Sequence, residues 1–257
     1  MGLAFWALFD FQFYHEEIIV WAGVSGLLHG LYILCLSRAY KSQDISYVYP
    51  IARSAPVFVP FFAFFFLGEA LGPVAVVAII LILAAIYSLH FDGHLVRGFR
   101  NLFDAILHRD LRWAFLTLAM VVAYSLVDKQ GMVLFLQHFP DQAFFNGIVF
   151  FFMESLVGFG FYLSYLMWKN PPKSVFSVWR NEWKMGLMAA IATLGSYGLI
   201  CVVLQFEPVG AVVSLRQVSV LMVVYWGCWK LGEPFGRQRI LAGFFTVLGV
   251  TLMGMYN

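Results

Sequence analysis

Apolar residues gather in long runs along this chain, separated by short polar connections. A helix that crosses a bilayer needs about 20 mostly apolar residues. Eight runs meet that need: Ile18–Leu36, Ile45–Leu67, Pro73–His90, Trp113–Leu136, Ala143–Trp168, Met185–Leu204, Val209–Trp229 and Ile240–Met255. An apolar stub, Leu3–Tyr14, precedes them and is interrupted by Asp10. The longer connections, Phe91–Arg112 and Lys169–Lys184, are charged and are expected to lie as loops along the membrane surface. The pattern predicts an all-α, polytopic transmembrane helix bundle of eight full spans plus the N-terminal stub.

Composition agrees. Of 257 residues, 62% are hydrophobic and 12% charged, with 28 Phe, 12 Tyr and 8 Trp, where a soluble domain is roughly 45–50% apolar and about a quarter charged. This excludes a soluble globular domain and a disordered chain. A net charge of +2 supplies no basic face for a phosphate backbone, so no nucleic acid is expected as partner. The partners expected are the lipid bilayer and a small-molecule substrate, and a homodimer is compatible with the pattern. Cys35, Cys201 and Cys228 lie inside apolar runs without metal-ligand spacing and read as small buried hydrophobes. No cofactor and no metal site are expected. The first nine residues lack the basic start and small-residue cleavage site of a signal peptide.

Lys and Arg placement predicts orientation. Numbering the connections alternately, one side collects Arg38, Lys41, Arg97, Arg100, Arg109, Arg112, Lys169, Lys173, Arg180, Lys184, Lys230, Arg237 and Arg239. Arg53, Lys129 and Arg216 fall inside spans, and the other side receives none. The positive-inside rule makes the basic side cytoplasmic, which puts the C-terminus outside.

The chain also repeats itself. The stretch "QDISYVYPIARSAPVFVPFFAFFFLGEAL" parallels "FEPVGAVVSLRQVSVLMVVYWGCWKLGEPF". In each, an acidic residue (Asp44, Glu207) stands nine positions before an arginine (Arg53, Arg216), and the span ends in Leu-Gly-Glu (Leu67–Glu69, Leu231–Glu233). Internal repeats in a multi-span protein point to a transporter with its substrate site between them, near the midplane. Residues 1–90 read as a first repeat, 91–112 as a charged surface loop and 113–257 as a second repeat. Two spans precede Met185 in the second copy, but only about seventeen residues precede Ile18. The first copy therefore lacks one helix and most of another. Two readings stand: an N-terminally shortened form of a ten-span protein, which we favour, or a natural variant of eight to nine spans.

These motifs, together with "AYSLVDKQGM" at the start of the second copy, resemble the drug/metabolite transporter superfamily in its EamA-like branch. The resemblance covers nearly the whole chain. It implies two inverted five-helix repeats around a central cavity and the movement of small metabolites, amino acids or drugs, often outward. The chain departs from that pattern in its incomplete first repeat and in its orientation, since the family's termini usually lie in the cytoplasm.

Charges inside spans are the candidate chemistry. Arg53 lies roughly 12 Å into its span at 1.5 Å per residue, and Arg216 sits at the equivalent depth. An arginine at a helix centre costs on the order of 2.5–3.5 kcal/mol. Each therefore pairs with Glu154 or Asp128, faces a cavity and binds an anionic group bidentately, or snorkels to an interface. Tyr124 and Asp128 share a helix face, with Lys129 expected to reach the span's end and its water. Asp128 and Glu154 read equally as proton carriers or as members of ion pairs with Lys129 or an arginine. Pro50, Pro56 and Pro60 should kink the helix around Arg53. Tyr32, Tyr49, Tyr124 and Tyr197 are candidates to line a substrate pocket. His29, between Gly26 and Gly30, reads as a satisfied polar residue at a tight helix contact rather than a proton relay. Glu69 and Glu233 are expected to cap the helix that follows each Leu-Gly-Glu turn.

The function these features support is secondary-active transport of a small polar or anionic metabolite by alternating access, as an exporter or permease in the cell membrane. No G-x-x-x-x-G-K-[ST] motif is present for direct use of ATP. The alternative is a transport-inactive remnant or scaffold. An intramembrane enzyme fits less well, because His15-Glu16-Glu17 lacks a second histidine in register and Asp128 is the one aspartate clearly inside a span.

Overall fold

A computed structural model describes residues 15–42, 51–52, 54–70, 72–90 and 112–216, together with 244, 245, 248, 249 and 252. Seven α-helices carry the described chain: α1 (Glu16–Ser42), α2 (Ala55–Leu67), α3 (Pro73–His90), α4 (Arg112–His138), α5 (Ala143–Lys169), α6 (Pro172–Leu204) and α7 (Val209–Leu215). A single 3-10 turn, Pro140–Gln142, joins α4 to α5. Among the described residues there is no strand.

Four helical segments, Glu16–Lys41, Arg112–His138, Pro140–Lys169 and Pro172–Leu204, are long and apolar enough to cross a membrane, and α2 and part of α3 are shorter apolar helices. In hydrocarbon every backbone polar group must be satisfied within the chain, which is why apolar runs of this length become helices. Side-chain hydroxyls obey the same constraint: Thr117 donates to the carbonyl of Trp113 and Ser125 to that of Val121.

The predicted spans Trp113–Leu136 and Ala143–Trp168 agree with α4 and α5 to within two residues, Ile18–Leu36 ends six residues before α1 does, and Pro73–His90 coincides with α3 as a helix, whose apolar part is shorter than a full span. The runs from Ile45, Val209 and Ile240 are only partly described, and the stub before His15 lies outside the described residues. The expectation of a surface loop over Lys169–Lys184 is overturned: only Asn170 and Pro171 separate α5 from α6, which is helical from Pro172 onward. Pro172 stands in the first turn, where its missing N–H is no loss and its φ is preset for a helix. Charge alone had marked this stretch as a connection, but a charged helix can leave the membrane without breaking.

The expected kink around the prolines takes the form of a helix start. The backbone N–H and hydroxyl of Ser54 both donate to the carbonyl of Ile51, and α2 begins at Ala55 with Pro56 in its first turn. Pro60 sits inside α2, and Pro50 lies outside the described residues.

Two compact units divide the chain: residues 1–31 with 127–207, and 32–126 with 208–257. In the first, α1, α4, α5 and α6 pack through glycines. A side chain on Gly26 would meet the backbone carbonyl of Glu154, and one on Gly30 would meet the Phe161 ring and the Gly158 carbonyl. Gly131 lies under the Phe150 ring, and Gly147 lies against the backbone of Val202. Small residues are the usual means of bringing membrane helices this close. In the second unit, Ala75, Ala78 and Ile79 of α3 pack with Leu83, Ala211 of α7 and Leu252.

Candidate functional site

Within the first unit, four helices each send polar groups to one buried point. Ser25 and His29 come from α1, Asp128 from α4, Glu154 from α5 and Tyr197 from α6. Ser25 and Asp128 are 0% exposed, Glu154 1% and Tyr197 9%. The Ser25 hydroxyl lies between the two acids, hydrogen-bonded to Asp128 Oδ1 and, at 2.7 Å, to Glu154 Oε2. Tyr197 donates its hydroxyl to the other Asp128 oxygen at 2.7 Å. His29 Nδ1 is 3.2 Å from Ser25 Oγ, 3.1 Å from the Ser25 carbonyl and 3.9 Å from Glu154 Oε2. The rings of His29 and Tyr197 meet edge to face, and Phe151 packs on Tyr197.

The helices explain why these groups converge. Ser25 and His29 are four apart and so share one face of α1. Gly26, on the adjoining flank, allows α1 to lie on the backbone of α5 at Glu154 itself. Without a side chain at position 26, the Ser25 hydroxyl is close enough to bridge acids on two other helices.

His29, Asp128 and Glu154 form a group of three whose ligand atoms lie within 4.8 Å of one another, among the described residues. Such a set can hold a cation, although the acid oxygens named above are already engaged by the hydroxyls of Ser25 and Tyr197.

Lys129 departs from the expectation that it reaches water at the end of its span. It is 8% exposed, and its ammonium donates to the carbonyls of Leu204 and Glu207, each at 2.9 Å. Leu204 closes α6, whose last carbonyls lack a helical partner, and Glu207 lies in the connection to α7. Beside them, Gln205 donates to Ala143 and Val202, while Asn146 donates to Phe139 and to Gln205.

In the second unit, Tyr32 and Tyr124 meet edge to face with centroids 5.7 Å apart, and Tyr124 is buried. Arg216 is half-buried and follows α7 directly. Glu69 does act as a helix cap, but of a different helix from the one expected. Gly68, at φ 68°, ends α2 in the left-handed conformation, and Glu69 Oε2 accepts from the backbone N–H of Val209 at 2.9 Å. The helix capped is α7, 140 residues further along the chain, rather than α3, which follows the turn. Arg53, Tyr49 and Glu233 lie outside the described residues, as does Cys228; Cys35 and Cys201 are buried free thiols.

Sequence reasoning found Asp128, Glu154 and Tyr197 without the link between them, and it missed Ser25. The available signal was the four-residue spacing of Ser25 and His29 on a helix that also carries Gly26 and Gly30.

The sequence profile of the EamA-like transporter family matches residues 1–91 and 111–255. No curated protein matches the chain.

Proposed function

The chain belongs to the EamA-like transporter family and is an integral, multi-pass membrane transporter of the drug/metabolite type, and from that premise we propose that it moves a small polar metabolite by alternating access, driven by protons that bind at Asp128 and Glu154. The observation that carries this reading is the convergence of two buried carboxyls, from α4 and α5, on the hydroxyl of α1. Ionisable groups inside membrane helices are expensive and mark ion or substrate pathways. A carboxyl that is neutral when protonated and charged when not gives the helices around it two electrostatic states, which is what coupling requires.

In this proposal the two halves form inverted repeats. Arg53 and Arg216 hold an anionic group of the solute, and Tyr32, Tyr49 and Tyr124 line its path. Tyr197 serves the acidic pair rather than the solute, because its hydroxyl is on Asp128.

The test begins with thermal stability against a panel of anionic, zwitterionic, cationic and neutral metabolites. A ligand at a hundred times its dissociation constant stabilises the folded state by about 2.7 kcal/mol. The ligand found is then given to proteoliposomes that carry a pH-sensitive dye. The wild type is expected to move protons with the ligand, and Asp128→Asn to exchange ligand without moving protons. A flat panel favours the transport-inactive reading, and normal proton movement by the Asn variant removes Asp128 from coupling.

A further inference from the structure

The hydroxyl of Ser25 has one hydrogen and two lone pairs. Two carboxyl oxygens lie within hydrogen-bond distance of it, Asp128 Oδ1 and Glu154 Oε2. It can donate to one of them only. If both acids were carboxylates, the second would press an oxygen lone pair against a hydroxyl lone pair, in a region where neither oxygen is exposed to water. The contact becomes a hydrogen bond when that second acid carries its own proton and donates to Ser25 Oγ.

Three neighbouring side chains leave this requirement in place. His29 Nδ1 faces the Ser25 carbonyl and hydroxyl and lies 3.9 Å from Glu154 Oε2, and a hydrogen there leaves the number between Ser25 and the two acids unchanged. Tyr197 donates to the far oxygen of Asp128, away from Ser25. Lys129, next to Asp128 on α4, directs hydrogens to the carbonyls of Leu204 and Glu207.

We propose that Ser25 is the positioning residue that makes Asp128 and Glu154 a single-proton unit, with one carboxyl proton held between them through its hydroxyl. The unit then cycles between a net charge of minus one with the proton and minus two after releasing it to water on either side. One proton is exchanged per cycle although two acids are present. The role in transport rests on the coupling proposed above; the shared proton rests on the geometry at Ser25 alone.

Infrared difference spectroscopy on the full-length protein in liposomes, without any solute, tests this. At neutral pH the wild type is expected to show one protonated-carboxyl C=O band that moves to lower frequency in D2O. Asp128→Asn and Glu154→Gln are each expected to abolish it, because Ser25 can then donate to the one remaining carboxylate. Ser25→Ala, which leaves both acids in place, is expected to shift the band, since the acid loses its hydroxyl acceptor; a role in packing alone would leave the band where it is. If a variant at either acid does not fold, carboxyl-13C labelling of aspartate or of glutamate in the wild type assigns the band instead. A wild type with no such band overturns the proposal, as does a band that survives both acid variants or one that Ser25→Ala leaves unmoved. A band that behaves as described in a protein with no solute-linked proton movement upholds the shared proton and sinks the coupling.

Discussion

Lys129 shows how a buried charge can be part of the framework. Its ammonium, carried by α4, holds the carbonyl of Leu204 at the end of α6 and that of Glu207 in the connection to α7. Hydrogen bonds from a charged donor contribute roughly 1.5–3 kcal/mol each, while an ammonium placed in a membrane interior costs on the order of 2.5–3.5 kcal/mol. Lys129→Met removes both effects and leaves two carbonyls without their donor. We expect a net loss of about 1–2 kcal/mol, read as a lower unfolding midpoint in detergent. A methionine variant as stable as the wild type would show that the ammonium is not needed to hold the end of α6. Asp128, Glu154 and Lys129 were legible in the sequence because a charge within an apolar run stands out against it. Ser25 was not, since a lone serine in a membrane helix carries no such contrast and its partners lie 103 and 129 residues away.

Helices were the most legible level, because about 20 apolar residues in a row have one stable arrangement in a bilayer. What escaped was how they end and which neighbours they meet. In the first Leu-Gly-Glu copy, Leu67 closes α2, Gly68 takes the left-handed turn and Glu69 caps α7. Periodicity says that a cap belongs to some helix, but not to which. Gly68 has open space around the position of a Cβ, so the effect of Gly68→Ala comes from the backbone alone. It is expected to cost about 1–2 kcal/mol, with Gly68→Asn recovering part of it. Glu69→Ala is expected to cost about 0.5–2 kcal/mol through loss of the cap. Gly26 tests the opposite situation, a position with no room. Gly26→Leu must push α1 off the Glu154 backbone, at about 1–3 kcal/mol for overpacking. Thermal unfolding in one detergent ranks all four variants; a Gly26→Leu protein that unfolds at the wild-type temperature would contradict the close α1–α5 contact.

At the scale of the whole chain, two contacts set the direction of α1 against that of α4. The rings of His15 and His138 lie with centroids 3.7 Å apart, and the guanidinium of Arg38 lies 4.5 Å from the Trp113 ring. The start of α1 is therefore beside the end of α4, and the two helices run antiparallel. The end marked by Arg38, Lys41 and Arg112 is basic, whereas the connection after His138 carries Asp141 and no lysine or arginine. α6 has 33 residues, about 50 Å at 1.5 Å per residue, against a hydrocarbon core of roughly 30 Å. Its surplus matches the charged first part, which holds Lys173, Arg180 and Lys184, and we expect that part to project from the membrane. By the positive-inside rule we expect the start of α6 to be cytoplasmic. In a background without native cysteines, Asp141→Cys is expected to react with a membrane-impermeant maleimide in intact cells, and Ser174→Cys only after permeabilisation. Both positions are exposed, so a difference between them reports sidedness rather than burial. The reverse pattern would invert the chain in the membrane, and equal labelling of both in intact cells would mean that it inserts in both directions. The basic residues at one end would then no longer suffice to set its orientation.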